Sequence, residues 1–268
     1  MPNIPPIVFE IIRYFTMFIM VGGILSGGVM GVLCLIRQQE KYWVNFLYGL
    51  LLLSFSLTLF DKFLRYSLLS YRYPNWSFLP IYLSFAFGPL LFFYVKSRLY
   101  TQLFSMHRRD FKHFILPTVQ FILLSWVTLQ AVKVKMDFQT NFFSPFYGNF
   151  EKGVFIFQFF MYLYFSYRFI LHEKQPLSIK TQKGLLKSCD AYTRRQVLIV
   201  GWLKRMVKGL FILFGIHASF ILTDYFSFRL FEINLQTKAL FSTCYELSFV
   251  AMLFWLCVNG YFAWRRRL

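Results

Sequence analysis

The stretch from Tyr14 to Ile36 contains no charged residue. A run of that length is close to the roughly 20 residues a helix needs to cross a hydrocarbon core, so it is either a membrane span or a helix buried on every side. Comparable runs recur along the chain. With 57% hydrophobic residues, 22% aromatics and a mean hydropathy of +0.51, a soluble domain of 268 residues could not hide them all in one core. Much of the apolar surface must face lipid.

Apolar segments near 13–36, 43–60, 78–95, 114–132, 150–171, 206–225 and 240–262 predict an all-α, seven-helix membrane bundle forming a single domain over 1–268. No basic region precedes the first segment except Arg13, and no small-residue cleavage site follows it, so this helix is expected to be retained. Of the 29 Lys and Arg residues, the first, third and fifth loops and the C-terminus hold two, five, ten and three, with Arg168 and Lys208 counted in the fifth loop, which leaves nine for the other side. Cytoplasmic loops are the ones enriched in Lys and Arg, so the N-terminus is predicted outside and the C-terminus inside, as in a bacterial inner membrane. The net charge of +18 is then accounted for by topology and by anionic headgroups, without nucleic acid. Arg108, Arg109 and Lys112 in the third loop and Arg265, Arg266 and Arg267 at the end are the candidate headgroup contacts.

Between the spans, a Glu173-Lys174-Gln175-Pro176 break is followed by a helical stretch, Leu185 to Leu203, expected along the inner surface with a bend near Gly201 or Gly209. The region from Lys96 to Lys112 suggests an interfacial helix, and Lys133 to Lys152, rich in aromatics with Pro145 and Gly148, a short outer cap or a contact surface. Helices two and six both finish with an acid among aromatics, Leu59-Phe60-Asp61-Lys62-Phe63 and Leu222-Thr223-Asp224-Tyr225-Phe226, a weak sign of an internal repeat. Cys34, Cys244 and Cys257 lie in predicted spans and Cys189 in a loop, a distribution that gives neither a disulfide framework nor a C-x-x-C metal motif.

Several residues stand out. Gly23, Gly27 and Gly31 form one stripe on the first helix, which serves either packing inside the bundle or a seam with a partner. Gly88-Pro89 falls in mid-segment, where proline would kink the third helix, as architecture or to expose carbonyls to a cavity. His217 and Glu246 are ionisable groups inside spans. Such groups are costly in lipid and should face the interior, paired with each other or with Asp224 and Asp61 near the outer mouth. They are either a structural hydrogen-bonded pair or a ligand or proton site.

Catalytic signatures such as H-E-x-x-H, G-x-S-x-G and a Walker loop are absent, and no cofactor is implied. His107, Asp110 and His113 do not share one face of an α-helix, which argues against a metal site.

The run Phe87-Gly88-Pro89-Leu90-Leu91-Phe92-Phe93-Tyr94-Val95-Lys96, then a basic loop and Asp110-Phe111-Lys112-His113-Phe114-Ile115-Leu116-Pro117, resembles the membrane half of seven-helix regulators of Bacteroidetes-type bacteria. In that family an AraC-type helix-turn-helix domain follows the seventh helix. The resemblance covers the chain in outline, including Gly260-Tyr261-Phe262, but its specific part is one helix and the loop after it. The output domain expected after Arg267 is not in this sequence, so DNA binding does not carry over. What the resemblance implies is a sensor-like, non-enzymatic module or accessory subunit acting through another envelope or inner-membrane protein. A small transporter or lipid-handling protein is the alternative class, and a lipid-directed enzyme using His217 and Glu246 a third.

Overall fold

The computed structural model describes residues 6–37, 42–100, 106–182 and 191–265. Among these residues the chain is helical, with no strand. Six helices are long and apolar enough to cross a membrane, covering Ile7–Ile36, Trp43–Tyr66, Arg108–Thr128, Gly148–His172, Val197–Phe231 and Ala239–Ala263. This is a multi-pass membrane architecture.

The principal elements are α1 (Pro6–Ile36), α2 (Tyr42–Tyr66), the single turn α3 (Leu69–Arg72), α4 (Phe87–Leu99), α5 (Ile115–Thr128), α6 (Val132–Phe138), α7 (Gly148–Gln182), α8 (Ala191–Phe231) and α9 (Ala239–Arg265). Long helices that follow one another along the chain run antiparallel, whereas α1 and α9, and α4 and α7, pack side by side in parallel. Phe55 stacks on Phe87 and Tyr48 meets Tyr94, which opposes α2 to α4; Phe155 and Phe160 meet Phe214 and Phe211, which opposes α7 to α8. His217 contacts Tyr245 while Trp255 donates to Met206 O (3.0 Å), which opposes α8 to α9.

The third predicted segment is built differently from the other six. It is an irregular strip, a 3-10 turn Ser84–Ala86 and the 13-residue α4. Apart from Phe92 and Lys96, every residue of α4 is buried, enclosed by α2, α7 and α8. Pro89 sits in the first turn of α4 and produces no mid-helix kink: there its missing N–H would have had no intrahelical partner. Gly88 lies under the ring of Tyr162 from α7, in space a Cβ would fill.

The glycine stripe on α1 packs inside the chain. A Cβ at Gly23 would come within 2.9 Å of Leu59, one at Gly27 within 2.9 Å of Leu253, and one at Gly31 within 2.8 Å of Leu53 and 3.1 Å of Gly49 O. Backbones approach this closely only where both sides are small, the usual basis of helix association where lipid removes the hydrophobic driving force. Ser56 Oγ also donates across this interface to Ile24 O (2.8 Å).

Helices α7 and α8 are much longer than the apolar segments that predict them. Helix α7 continues through Pro176 to Gln182, so the expected break does not occur, and α8 is continuous from Ala191 past Gly201 and Gly209. At Gly209 the open helix face receives the indole of Trp255. Helix α8 stops at Glu232, a non-glycine residue with φ 56°, whose N–H reaches back to Phe228 O (3.0 Å) in an αL-type helix end. Lys133 to Lys152 does form a compact cap, comprising α6 and a π-helical turn Gln139–Tyr147, whose Phe138 and Phe143 pack edge-on against Phe78. Arg108–Phe114 is a 3-10 helix, in which residues three apart stack on one face.

Candidate functional site

Three of the four acidic or basic residues expected to form a site come together. Asp61 near the end of α2, Asp224 near the end of α8 and Glu246 near the start of α9 line one cavity of about 530 Å³, roofed by the π-helical turn and the start of α7. His217 does not line it. Its ring lies beneath, stacked 4.9 Å from Tyr245 and 5.5 Å from Phe249.

The expected His217–Glu246 pair does not form. His217 Nδ1 is 2.7 Å from Ser248 Oγ, whose single hydrogen is directed to Tyr245 O at 2.6 Å, leaving Nδ1 to donate. This is a satisfied structural contact between α8 and α9. Glu246 faces Lys62 instead, with Nζ to Oε2 at 3.3 Å. The same Nζ donates to Tyr245 OH (3.0 Å) and sits 4.1 Å from the centre of the Tyr245 ring. One turn along α2, Arg65 Nη2 lies 2.8 Å from Asp61 Oδ2, close enough for an ion pair although off the line of a hydrogen bond.

These charges explain why α2 continues to Tyr66, past the end expected at residue 60. Arg65 is four residues from Asp61 and three from Lys62, and all three line a polar cavity rather than facing lipid. Sequence inspection placed Asp61 at the mouth but missed Lys62 and Arg65. The available signal was the Asp61/Arg65 spacing of four, the helical spacing of an ion pair.

Glu151 was missed as well, because it falls at the start of an apolar segment and looked like a loop acid. It lines the cavity from the first turn of α7 and is 3% exposed. Its Oε1 accepts from Gln120 Nε2, which also donates to Ser84 Oγ (3.0 Å), while Gln120 Oε1 accepts from Phe85 N (3.3 Å). One buried amide thus ties α5, the turn before α4 and α7 to the cavity wall. Asp224 Oδ2 accepts from Gln236 Nε2 (3.3 Å), and Asp224 Oδ1 is buried with no hydrogen-bond partner. On the roof, burial first and then the neighbouring Glu151 push the Tyr147 phenol up to about 12, so it is neutral at physiological pH.

Below the cavity the bundle closes. Phe55, Phe87, Phe155, Phe159, Phe214 and Phe249, contributed by α2, α4, α7, α8 and α9, are each at most 4% exposed and contact one another in stacked or edge-on pairs, the tightest with ring centres 3.9 and 4.5 Å apart. Such pairs add about 0.5–1.5 kcal/mol each beyond burial. The polar site is therefore one-sided, with an aromatic floor.

At the other end of the bundle, Arg108, Arg109 and Lys112 are exposed on their 3-10 helix, near the end of α4 marked by Lys96 and Asp110 (3.8 Å). Arg265 ends α9, and Arg266 and Arg267 lie outside the described residues. Although a 3-10 helix aligns His107, Asp110 and His113, Asp110 accepts from the His107 backbone N (3.0 Å) and His113 Nδ1 is bonded to Tyr162 OH (2.7 Å). Among the described residues no group of His, Cys, Asp and Glu is placed to hold a metal ion. Comparison with known protein families and with curated proteins returns no match.

Proposed function

We propose that this chain is a non-enzymatic, ligand-responsive module of a bacterial inner membrane, working as a sensor-like unit or accessory subunit through a partner protein. The observation that carries this reading is the polar cavity at one end of the bundle, closed off below by six phenylalanines from five helices. A conduit for transport would need a polar path through that floor, and the floor is apolar.

The antiparallel order of the helices supports seven crossings. Helix α4 runs from the cavity end, where Phe85 meets Gln120, toward the far end, where Tyr94 meets Tyr48. Together α4 and its preceding turn span about 25 Å, short of the roughly 30 Å hydrocarbon core, but their wrapping by other helices spares them contact with lipid. With seven crossings the termini lie on opposite sides, and the excess of basic residues at the end away from the cavity makes that end cytoplasmic. The cavity then opens outward, and Arg108, Arg109 and Lys112 meet inner-leaflet headgroups.

Helices α7 and α8, about 53 and 62 Å long, both extend beyond a bilayer at the basic end. They also supply Glu151 and Asp224 to the cavity, so one rigid pair joins the outer site to the inner surface. This fits the resemblance to seven-helix regulators, with the output in a partner.

The test is gentle extraction of a C-terminally tagged protein and identification of what copurifies in stoichiometric amount, for wild type and Glu246→Ala. A defined protein partner whose retention changes in the variant supports the reading. A homo-oligomer that moves a solute across liposome membranes would replace it with the transporter alternative.

A further inference from the structure

The cavity's charges are unequally committed. Among the described residues, Lys62 is held by Glu246 at 3.3 Å and Arg65 by Asp61 at 2.8 Å, while no Lys or Arg nitrogen lies within ion-pair distance of Glu151 or Asp224. Lys152 and Arg65 line the same cavity and act on Glu151 through space, but neither forms an ion pair with it. Glu151 is almost wholly buried with one amide donor, and Asp224 keeps a buried oxygen without any donor. A buried carboxylate without an ion-pair partner is costly, and the positive end of α7 offsets only part of that for Glu151; Asp224 is half-buried, with one oxygen turned away from both solvent and donors.

Resting on the proposal that this cavity is a ligand site, we infer that it takes a small organic cation, a protonated or quaternary amine, with Glu151 and Asp224 as its two anionic contacts. The chain's own ammonium shows what this wall does with such a group: Lys62 Nζ is held by a carboxylate, a tyrosine hydroxyl and the face of the Tyr245 ring at once. Tyr82, Phe143, Tyr225 and Phe228 offer the same aromatic surface around the rest of the cavity. An anionic ligand would instead have to break the Lys62 or Arg65 pair and bring a further negative charge beside two acids that have no ion-pair partner. About 530 Å³ suits an amine with a compact aromatic or branched body.

The experiment uses the full chain in lipid nanodiscs and measures binding by calorimetry for two matched sets: phenethylamine with 2-phenylethanol and phenylacetate, and choline with 3,3-dimethyl-1-butanol. Wild type is expected to bind an amine and not its neutral or anionic analogue. Glu151→Gln and Asp224→Asn, which retain an amide capable of bonding Gln120 and Gln236, should each weaken that binding about tenfold or more, the loss expected for one charge-assisted hydrogen bond. Equal binding of the alcohol, preferential binding of the carboxylate, or amine binding unchanged in both variants overturns the cation assignment while leaving a ligand site in place. No binding of any probe to protein that elutes as a single folded species overturns both.

Discussion

The Lys62–Glu246 pair can be tested as a unit, because the structure fixes what each partner loses. Lys62→Met removes the 3.3 Å ion pair, the 3.0 Å bond to Tyr245 OH and the ammonium from the Tyr245 face, and leaves Glu246 with its carboxylate 8% exposed and no cation. Glu246→Leu leaves the Lys62 ammonium with only Tyr245. Breaking a buried pair costs about 3–5 kcal/mol, and since this one borders a cavity the lower figure applies, about 3 kcal/mol for each single variant. Replacing both charges by apolar groups removes the orphan, so the double variant should cost no more than either single one. The coupling is then about 3 kcal/mol, a factor of roughly 150 in the unfolding equilibrium. Tryptophan fluorescence during sodium dodecyl sulfate titration of micelle-embedded protein gives the four unfolding free energies. If the two single losses add to within about 0.5 kcal/mol in the double variant, the residues are not coupled and the account of the cavity wall fails.

Three other outcomes follow from the same structure. Gly31→Val forces α1 away from Leu53 and Gly49 and should cost about 1–3 kcal/mol by the same titration, whereas Gly22→Val, with nothing within 4 Å of the new Cβ, should leave stability unchanged. In a cysteine-free background, Lys238→Cys should react with a membrane-impermeant maleimide on intact cells and Lys112→Cys only after permeabilisation; the reverse pattern would invert the orientation. Phe214→Ala removes the ring that meets Phe155, Phe159 and Phe160 edge-on, and should cost about 3–5 kcal/mol, measurable as a lowered unfolding midpoint.

How much of this was legible depends on which force sets each feature. Lipid contact is written in composition, so the all-helical, multi-pass class followed from runs such as Tyr14 to Ile36 alone. The glycine spacing located a close helix contact but could not name its other side, which turned out to be Leu59, Leu53 and Leu253 of the same chain. Helix ends were legible only where local chemistry sets them. Nothing in Glu232 announces a left-handed stop, and Pro89 signals a kink or a helix start equally well until its neighbours are placed.

The site shows the same division more sharply. The rule that ionisable groups in spans face inward brought Asp61, Asp224 and Glu246 to one cavity from three helices, but it could not choose partners among them. His217 found a serine two residues beyond Glu246, and Glu246 found a lysine just past the expected end of the second span. The misplaced end of α2 and the missed ion pairs are therefore one error. Treating a charge as the point where a span meets water ends the helix at Asp61, whereas here the protein supplies its own polar surroundings, so the helix and its charges continue together. The same physics hides Glu151: at the start of α7 a span-boundary rule cannot separate it from a loop residue, although the protein buries it against Gln120 in the cavity wall.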